Sequence, residues 1–432
     1  MTRESEETRA RRRAGGLLRQ RDFLLFWSGE TVNELGSATA VFGVPPLAVL
    51  FLHATAFEVG MLTAAGWLPW LIIGLPVGAR LDRLPARPVM VACDVAAAAL
   101  YASVPIAYAA GVLHIGQLVV VQLLAGAADV AFTTAYQLYL QCLVAAHELT
   151  QANATIQASY STATLGGRGI SGVLTQVVGA TAGVALNVIS FLVSAACLLG
   201  IHAPERRDLT STRTTSVRQD VLEGVAFVSR DPYLRPMTVF GGVANLALAG
   251  FAALVVVFLV RSVGLAAGLA GVLTALPGVG GLLAAALAGP LATRMGSARA
   301  ILVAGGLLPF ALLAPLASTG PGLAFYIVGI PVAATGVSLA TIIMSAFRQT
   351  YSPAGMLGRV TVSMRFVILG ANPLGALAGG ALGAWLGARD ALWIVLAVLA
   401  ASGGCLITGA LISARDLPAY PSIAPPTPAQ TP

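Results

Sequence analysis

Four carboxyl groups and one guanidinium stand inside otherwise apolar runs. Glu30 and Glu34 lie in Phe23-Leu-Leu-Phe-Trp-Ser-Gly-Glu-Thr-Val-Asn-Glu-Leu-Gly, one helical turn apart on a shared face. Asp94 ends Val89-Met-Val-Ala-Cys-Asp, Asp129 follows Gly126-Ala-Ala, and Arg168 sits in Leu165-Gly-Gly-Arg-Gly-Ile-Ser-Gly. A carboxylate in hydrocarbon must pair, take up a proton or face a water-filled path. The chemistry within reach of such groups is proton binding and release, or electrostatic recognition of a passing molecule. Counted at helical rise, Glu34 is about 16 Å up its helix, Asp129 about 21 Å and Arg168 about 24 Å from the ends of theirs. Arg168 is therefore expected to pair with Asp129, which leaves Glu34 the acid with fewer partners.

The same inventory excludes other chemistries. All 25 cationic residues are arginine, so the chain has neither a phosphate-loop lysine nor a Schiff-base lysine. His53, His114, His147 and His202 fall near the ends of apolar runs without metal-ligand spacing, and Cys93, Cys142, Cys197 and Cys405 are scattered singly. No nucleophile–base constellation stands out. We expect no enzyme activity, no metal and no cofactor, with the proton gradient as energy source.

The elements that position these residues are membrane helices. A chain of 432 residues with a mean hydropathy of +0.84 and 10% charged residues is an all-α integral membrane protein by composition. At about 20 apolar residues per crossing, twelve transmembrane helices are expected near 23–52, 57–79, 88–110, 114–143, 152–178, 182–201, 236–260, 267–291, 298–318, 322–346, 358–384 and 390–413. The arginines cluster before the first span and in alternate loops; only Arg261 and Arg389 fall on the opposite side. Both termini are then cytoplasmic by the positive-inside rule, in a bacterial inner membrane. The net charge of +7 reports contact with anionic lipid and gives no reason to expect nucleic acid.

Five regions follow. Residues 1–21 form an Arg-rich tail, 22–201 an amino-terminal six-helix half, 202–235 a linker, 236–414 a second six-helix half and 415–432 a Pro-rich disordered tail. Within the linker, residues 216–230 carry apolar positions at helical spacing, which predicts a lateral helix. Asp231-Pro232 reads as an N-cap with proline opening the next helix, and Thr55-Ala-Phe-Glu58 as a capping box.

Between spans two and three runs Gly78-Ala-Arg-Leu-Asp82-Arg83-Leu-Pro-Ala-Arg87-Pro, with Asp94 soon after. This spacing resembles the loop 2–3 signature of the major facilitator superfamily, in detail its macrolide-efflux and enterobactin-exporter branch of drug:proton antiporters. Gly289-Pro-Leu-Ala-Thr-Arg294-Met-Gly-Ser-Ala-Arg299 repeats it in the second half. The resemblance implies two six-helix halves, and a latch of Gly78, Asp82, Arg83 and Arg87 with Asp94 nearby that holds one side closed against the start of span eleven. Glu30, Glu34, Asp129 and Arg168 are the expected proton-coupling and cavity residues. An apolar wall of Asn245, Phe251, Phe258, Phe325, Tyr326 and Phe347 is expected opposite them. The function implied is proton-coupled efflux of a hydrophobic or amphipathic small molecule such as a drug, antibiotic or siderophore. The expected partners are that substrate, protons and membrane lipids, in a monomer. A nutrient importer on the same fold is the alternative, and a non-transporting membrane receptor a further one.

Overall fold

The computed structural model describes residues 20–73, 84–144, 148, 152, 155, 156, 159, 162, 163, 181–202, 217–352 and 357–418. The elements among the described residues are all helices, with no strand among them. Nine helical stretches among them are long and apolar enough to cross a bilayer. Most of the expected fifth span, with Arg168, lies outside the described residues, as do Gly78, Asp82 and Arg83.

Contacts divide the chain into two compact units. The first comprises Met1–His53, Ile72–Thr212 and Ala267–Val272; the second, Ala54–Leu71, Arg213–Ala266 and Leu273–Pro432. The first unit holds α1 (Arg21–Phe51), α3 (Ala86–Ala109), α4 (Ile115–Leu143) and α5 (Ala182–Leu199). Helix α5 is its hub, packing on both α1 and α3, while α3 also packs on α4. Small residues make the α1–α5 seam close: a Cβ on Gly29 would stand 2.9 Å from that of Cys197, and one on Gly36 would overlap Ser190. The Thr39 hydroxyl crosses the same seam to the Gly183 carbonyl at 3.1 Å. These contacts consume the 29/36 edge of α1 and leave the Glu30/Glu34 face free of α5.

In the second unit, α2 (Ala56–Ile72) begins with the expected capping box. The Thr55 amide and hydroxyl donate to Glu58 Oε2 at 2.7 and 2.9 Å, and the Glu58 amide returns a bond to Thr55 Oγ1 at 3.3 Å. By packing, α2 belongs with this unit and not with its sequence neighbours. A Cβ on Gly60 would come 2.6 Å from the Ala376 carbonyl of α12 (Leu357–Leu386) and 2.9 Å from the Gly380 Cα. In lipid, where burial of apolar surface offers helices no advantage over contact with acyl chains, such backbone approach is what holds them together.

The linker helix α6 (Val217–Arg230) forms as the periodicity predicts and packs on α12, with Gly224 against Arg359 and Ser363 and with Phe227 and Val228 buried. Helix α7 (Leu234–Val257) runs into a π-helical turn at Phe258–Ser262. The eighth span breaks at Ala275 into α8 (Ala267–Thr274) and α9 (Leu276–Met295), because Pro277 in the first turn of α9 has no N–H to continue the earlier ladder. The ninth is α10 (Ser297–Gly306) followed by a tighter 3-10 segment at Leu308–Leu316, again opened by a proline. Then come α11 (Leu323–Tyr351), α12, α13 (Ala388–Ser402) and the short α14 (Gly409–Ser413).

The first residues of the expected carboxyl-terminal tail are tied down. Asp416 Oδ1 accepts from the Ser297 amide at 3.1 Å, the Arg415 carbonyl from Ala298 at 3.2 Å, and the Leu417 amide donates to Ser297 Oγ at 2.9 Å. The segment thus caps α10, whose first amides would otherwise lack acceptors.

Candidate functional site

The first unit brings four of the expected acids into one electrostatic neighbourhood. Glu30 on α1 is within charge–charge range of Glu34, Asp94 and Asp129, and Glu34 is within range of Asp129. Three helices contribute, since Asp94 is on α3 and Asp129 on α4. Glu30 and Glu34 are half-buried and Asp129 is exposed.

Asp94 differs from the others. It is 1% exposed and neither carboxylate oxygen completes a hydrogen bond. The Ser194 hydroxyl on α5 is a polar neighbour that acts on its charge. A buried carboxyl without donors is a costly arrangement that packing alone does not explain.

Aromatic rings border the group. Phe26 stacks on Tyr136 at 5.1 Å between centroids, and the Tyr136 phenol is within range of both Glu30 and Glu34. Tyr101, beside Asp129, donates to Gln122 Oε1 at 2.8 Å and stacks on Phe191. Trp27 donates from Nε1 to Ser159 Oγ at 2.8 Å. Asn33, between the two glutamates in sequence, is 8% exposed with a buried Oδ1 that has no donor. Sequence reasoning passed over Asn33, Tyr101 and Tyr136. The available signal was their spacing: Asn33 is three residues from Glu30, on the same side of the helix.

Among the described residues no group of three or more His, Cys, Asp or Glu side chains could hold a metal ion. The arrangement is a group of carboxyls and phenols on three helices, suited to carrying protons or meeting a basic group.

Of the expected latch, Arg87 and the nearby Asp94 are described. The Arg87 guanidinium donates from Nε to the Leu198 carbonyl and from Nη2 to the Leu199 carbonyl, both at 2.7 Å. A planar fork matches the two successive carbonyls at the end of α5 and complements the negative end of that helix.

The expected apolar wall of the second half is mostly packing. Tyr326 and Phe258 are fully buried, with Phe258 beneath the Arg389 guanidinium at 5.4 Å, and Phe347 stacks on Tyr351 at 4.5 Å. Asn245 donates to its own helix, at Gly241. Phe325, at 46% exposed, is the member of the set that stands well clear of the core. The unit also holds two arginines within repulsive range of each other, Arg348 on α11 and Arg365 on α12, which the sequence reading had not singled out as a pair.

The Major Facilitator Superfamily profile matches residues 26–368. The chain belongs to the major facilitator superfamily. An uncharacterized MFS-type transporter of Sinorhizobium fredii, y4rN, is 28% identical over 334 residues, 74% of this chain and 78% of that protein. The multidrug efflux pump Tap of Mycolicibacterium fortuitum is 29% identical over 211 residues, 46% of this chain and 50% of the pump, so the match spans about half of each. Among solved structures, the nucleoside transporter NupG superposes with a TM-score of 0.71 at 11% identity, covering 91% of this chain and all of that one. A bacterial homologue of the iron transporter ferroportin, in an inward-facing state, gives 0.72 at 16% identity over 89% of this chain and 97% of that one. The protein is therefore a multi-pass superfamily transporter and not an enzyme. Likeness at this identity carries the fold and leaves the cargo open.

Proposed function

We propose that the chain is a proton-coupled exporter of amphipathic organic molecules in a bacterial cytoplasmic membrane, working as a monomer with both termini in the cytoplasm. The observation that carries this reading is Glu30 within electrostatic range of Glu34, Asp94 and Asp129, with Glu34 also in range of Asp129. Carboxyls held together in a membrane are at ease when protons or a cationic group neutralise them and strained when bare. Exchange of the one for the other at a shared site couples a proton moving in to a cargo moving out, because each occupant relieves the same repulsion. The phenol rings of Tyr136 and Tyr101 supply flat apolar surface beside the charges. The partial match to a multidrug efflux pump supports the outward direction.

In this scheme Glu34 is the titrating group and Asp129 is steadied by Arg168. Asp82 and Arg83 in the Gly78 loop, with Arg87 at the start of α3, set which packing of the helices is preferred. The test is accumulation of a panel of amphipathic dyes and antibiotics in cells that express the chain and lack their own pumps. Lower accumulation that an uncoupler abolishes, and that Glu34→Gln also abolishes, is the expected result. Higher accumulation indicates an importer, and equal accumulation across the panel with and without the chain removes the efflux reading.

A further inference from the structure

A crevice in the second unit has no part in the scheme above. It is lined by Pro232, Arg235, Pro236 and Val239 at the start of α7 and by Cys405 and Thr408 just beyond α13, and encloses about 320 Å³. We propose that it is a binding site for the headgroup of an anionic phospholipid, in the leaflet on the arginine-rich side of the protein.

Three features argue for that occupant. Arg235 is exposed and has neither an ion pair nor a side-chain hydrogen bond among the described residues, so the crevice presents an uncompensated positive charge. Thr408 lines the crevice beside it. A phosphate oxygen accepts from the guanidinium. The remaining walls are apolar, and Val239 and Ile407 extend apolar surface outward at 45% and 65% exposure. A free anion has no use for such walls, whereas a phospholipid lays its glycerol and first methylenes against them. The place in the fold agrees. The crevice lies where α7 begins and the last long helix ends, the level at which headgroups meet two neighbouring spans, and an arginine there is worth about fivefold in affinity for an anionic lipid.

The test uses the full chain in nanodiscs of an equimolar mixture of phosphatidylglycerol and phosphatidylcholine, extracted into detergent and weighed by native mass spectrometry. The wild type should retain phosphatidylglycerol in preference. Arg235→Ala should lose roughly fivefold of that preference, while Arg235→Lys, which keeps a positive charge, should retain most of it. Val239→Trp, which fills the crevice and spares the arginine, should lose it too, and Arg261→Ala at the other end of the same span should not. Cys405 gives an independent readout within the native chain. Its alkylation by N-ethylmaleimide, followed by peptide mapping, should be slower in phosphatidylglycerol vesicles than in phosphatidylcholine vesicles. Equal retention of both lipids by the wild type overturns the proposal, as does an undiminished preference in Arg235→Ala and Val239→Trp. Protection of Cys405 by inorganic phosphate alone, equal to that by the lipid, overturns it in favour of a free-anion site.

Discussion

The Tyr351 phenol donates a 2.8 Å hydrogen bond to Oδ2 of Asp231, 120 residues away in sequence, and Asp231 has no exposed surface. The other carboxylate oxygen of Asp231 accepts from the Tyr233 and Leu234 amides, both at 2.9 Å, so one side chain caps α7 and ties it to the end of α11. Tyr233, Phe347 and Tyr351 close over the junction, with Tyr233 edge-on to the other two at 6.1 Å. Removing the donor leaves a buried carboxylate oxygen short of a partner, which costs about 1–3 kcal/mol. Tyr351→Phe should therefore lower the thermal unfolding temperature in detergent by several degrees, while Phe325→Leu on the exposed face of the same helix should leave it nearly unchanged.

Arg87 should be sensitive to the shape of its side chain as well as to its charge. Arg87→Ala removes two hydrogen bonds at the end of α5 and should destabilise by about 1–2 kcal/mol. Arg87→Lys should recover part of that, because an ammonium cannot reproduce two parallel bonds from one plane. Melting curves of the three proteins should fall in the order wild type, lysine, alanine. A lysine variant that matches the wild type would show that charge alone matters here.

Asp94→Asn separates stability from transport. The carboxyl is buried and without hydrogen bonds, so an amide of nearly the same shape relieves a desolvated charge, and unfolding should be unchanged or shifted upward. Uncoupler-sensitive efflux should nevertheless fall at least tenfold if Asp94 shares protons with Glu30. The discriminating measurement is initial efflux rate on protein of verified folding; a folded variant that pumps at the wild-type rate would assign Asp94 a packing role alone.

The Gly60 contact should tolerate no side chain of any size. A Cβ there lies 2.6 Å from a backbone carbonyl, which has no flexible end to move aside. Gly60→Leu should separate α2 from α12, with a loss of several kcal/mol typical of overpacking. Gly289→Leu, where nothing lies within 4 Å of the added Cβ, is the matched control. Yield of monodisperse protein and its melting temperature should fall for the first variant and hold for the second.

Much of the fold was legible from composition and local pattern. Long apolar runs have to be helices in lipid because each backbone N–H and C=O must be satisfied within the segment. The caps at Thr55/Glu58 and Asp231 were readable because they involve residues within one turn of each other. The four acids could be picked out because a charge in an apolar run has no ordinary reason to be there. Their gathering was another matter: Glu30, Asp94 and Asp129 lie on three helices, and the helices' rotation about their axes brings them into range.

What the sequence alone determined is the solvent of each segment: which runs enter the bilayer, which loops carry the arginines, and that a few carboxyls must be matched by protons, cations or counter-charges. Tertiary structure decided which face of each helix meets which neighbour. It set Gly60 against Gly380, turned Arg87 onto the carbonyls of Leu198 and Leu199, buried Tyr326 and Phe258 where a cavity wall was expected, and folded Asp416 back onto α10. The reason is physical. A helix in water shows its buried face as an apolar stripe, but a helix in lipid is apolar all round, so its periodicity is silent about contacts that backbone approach and a few polar pairs alone specify.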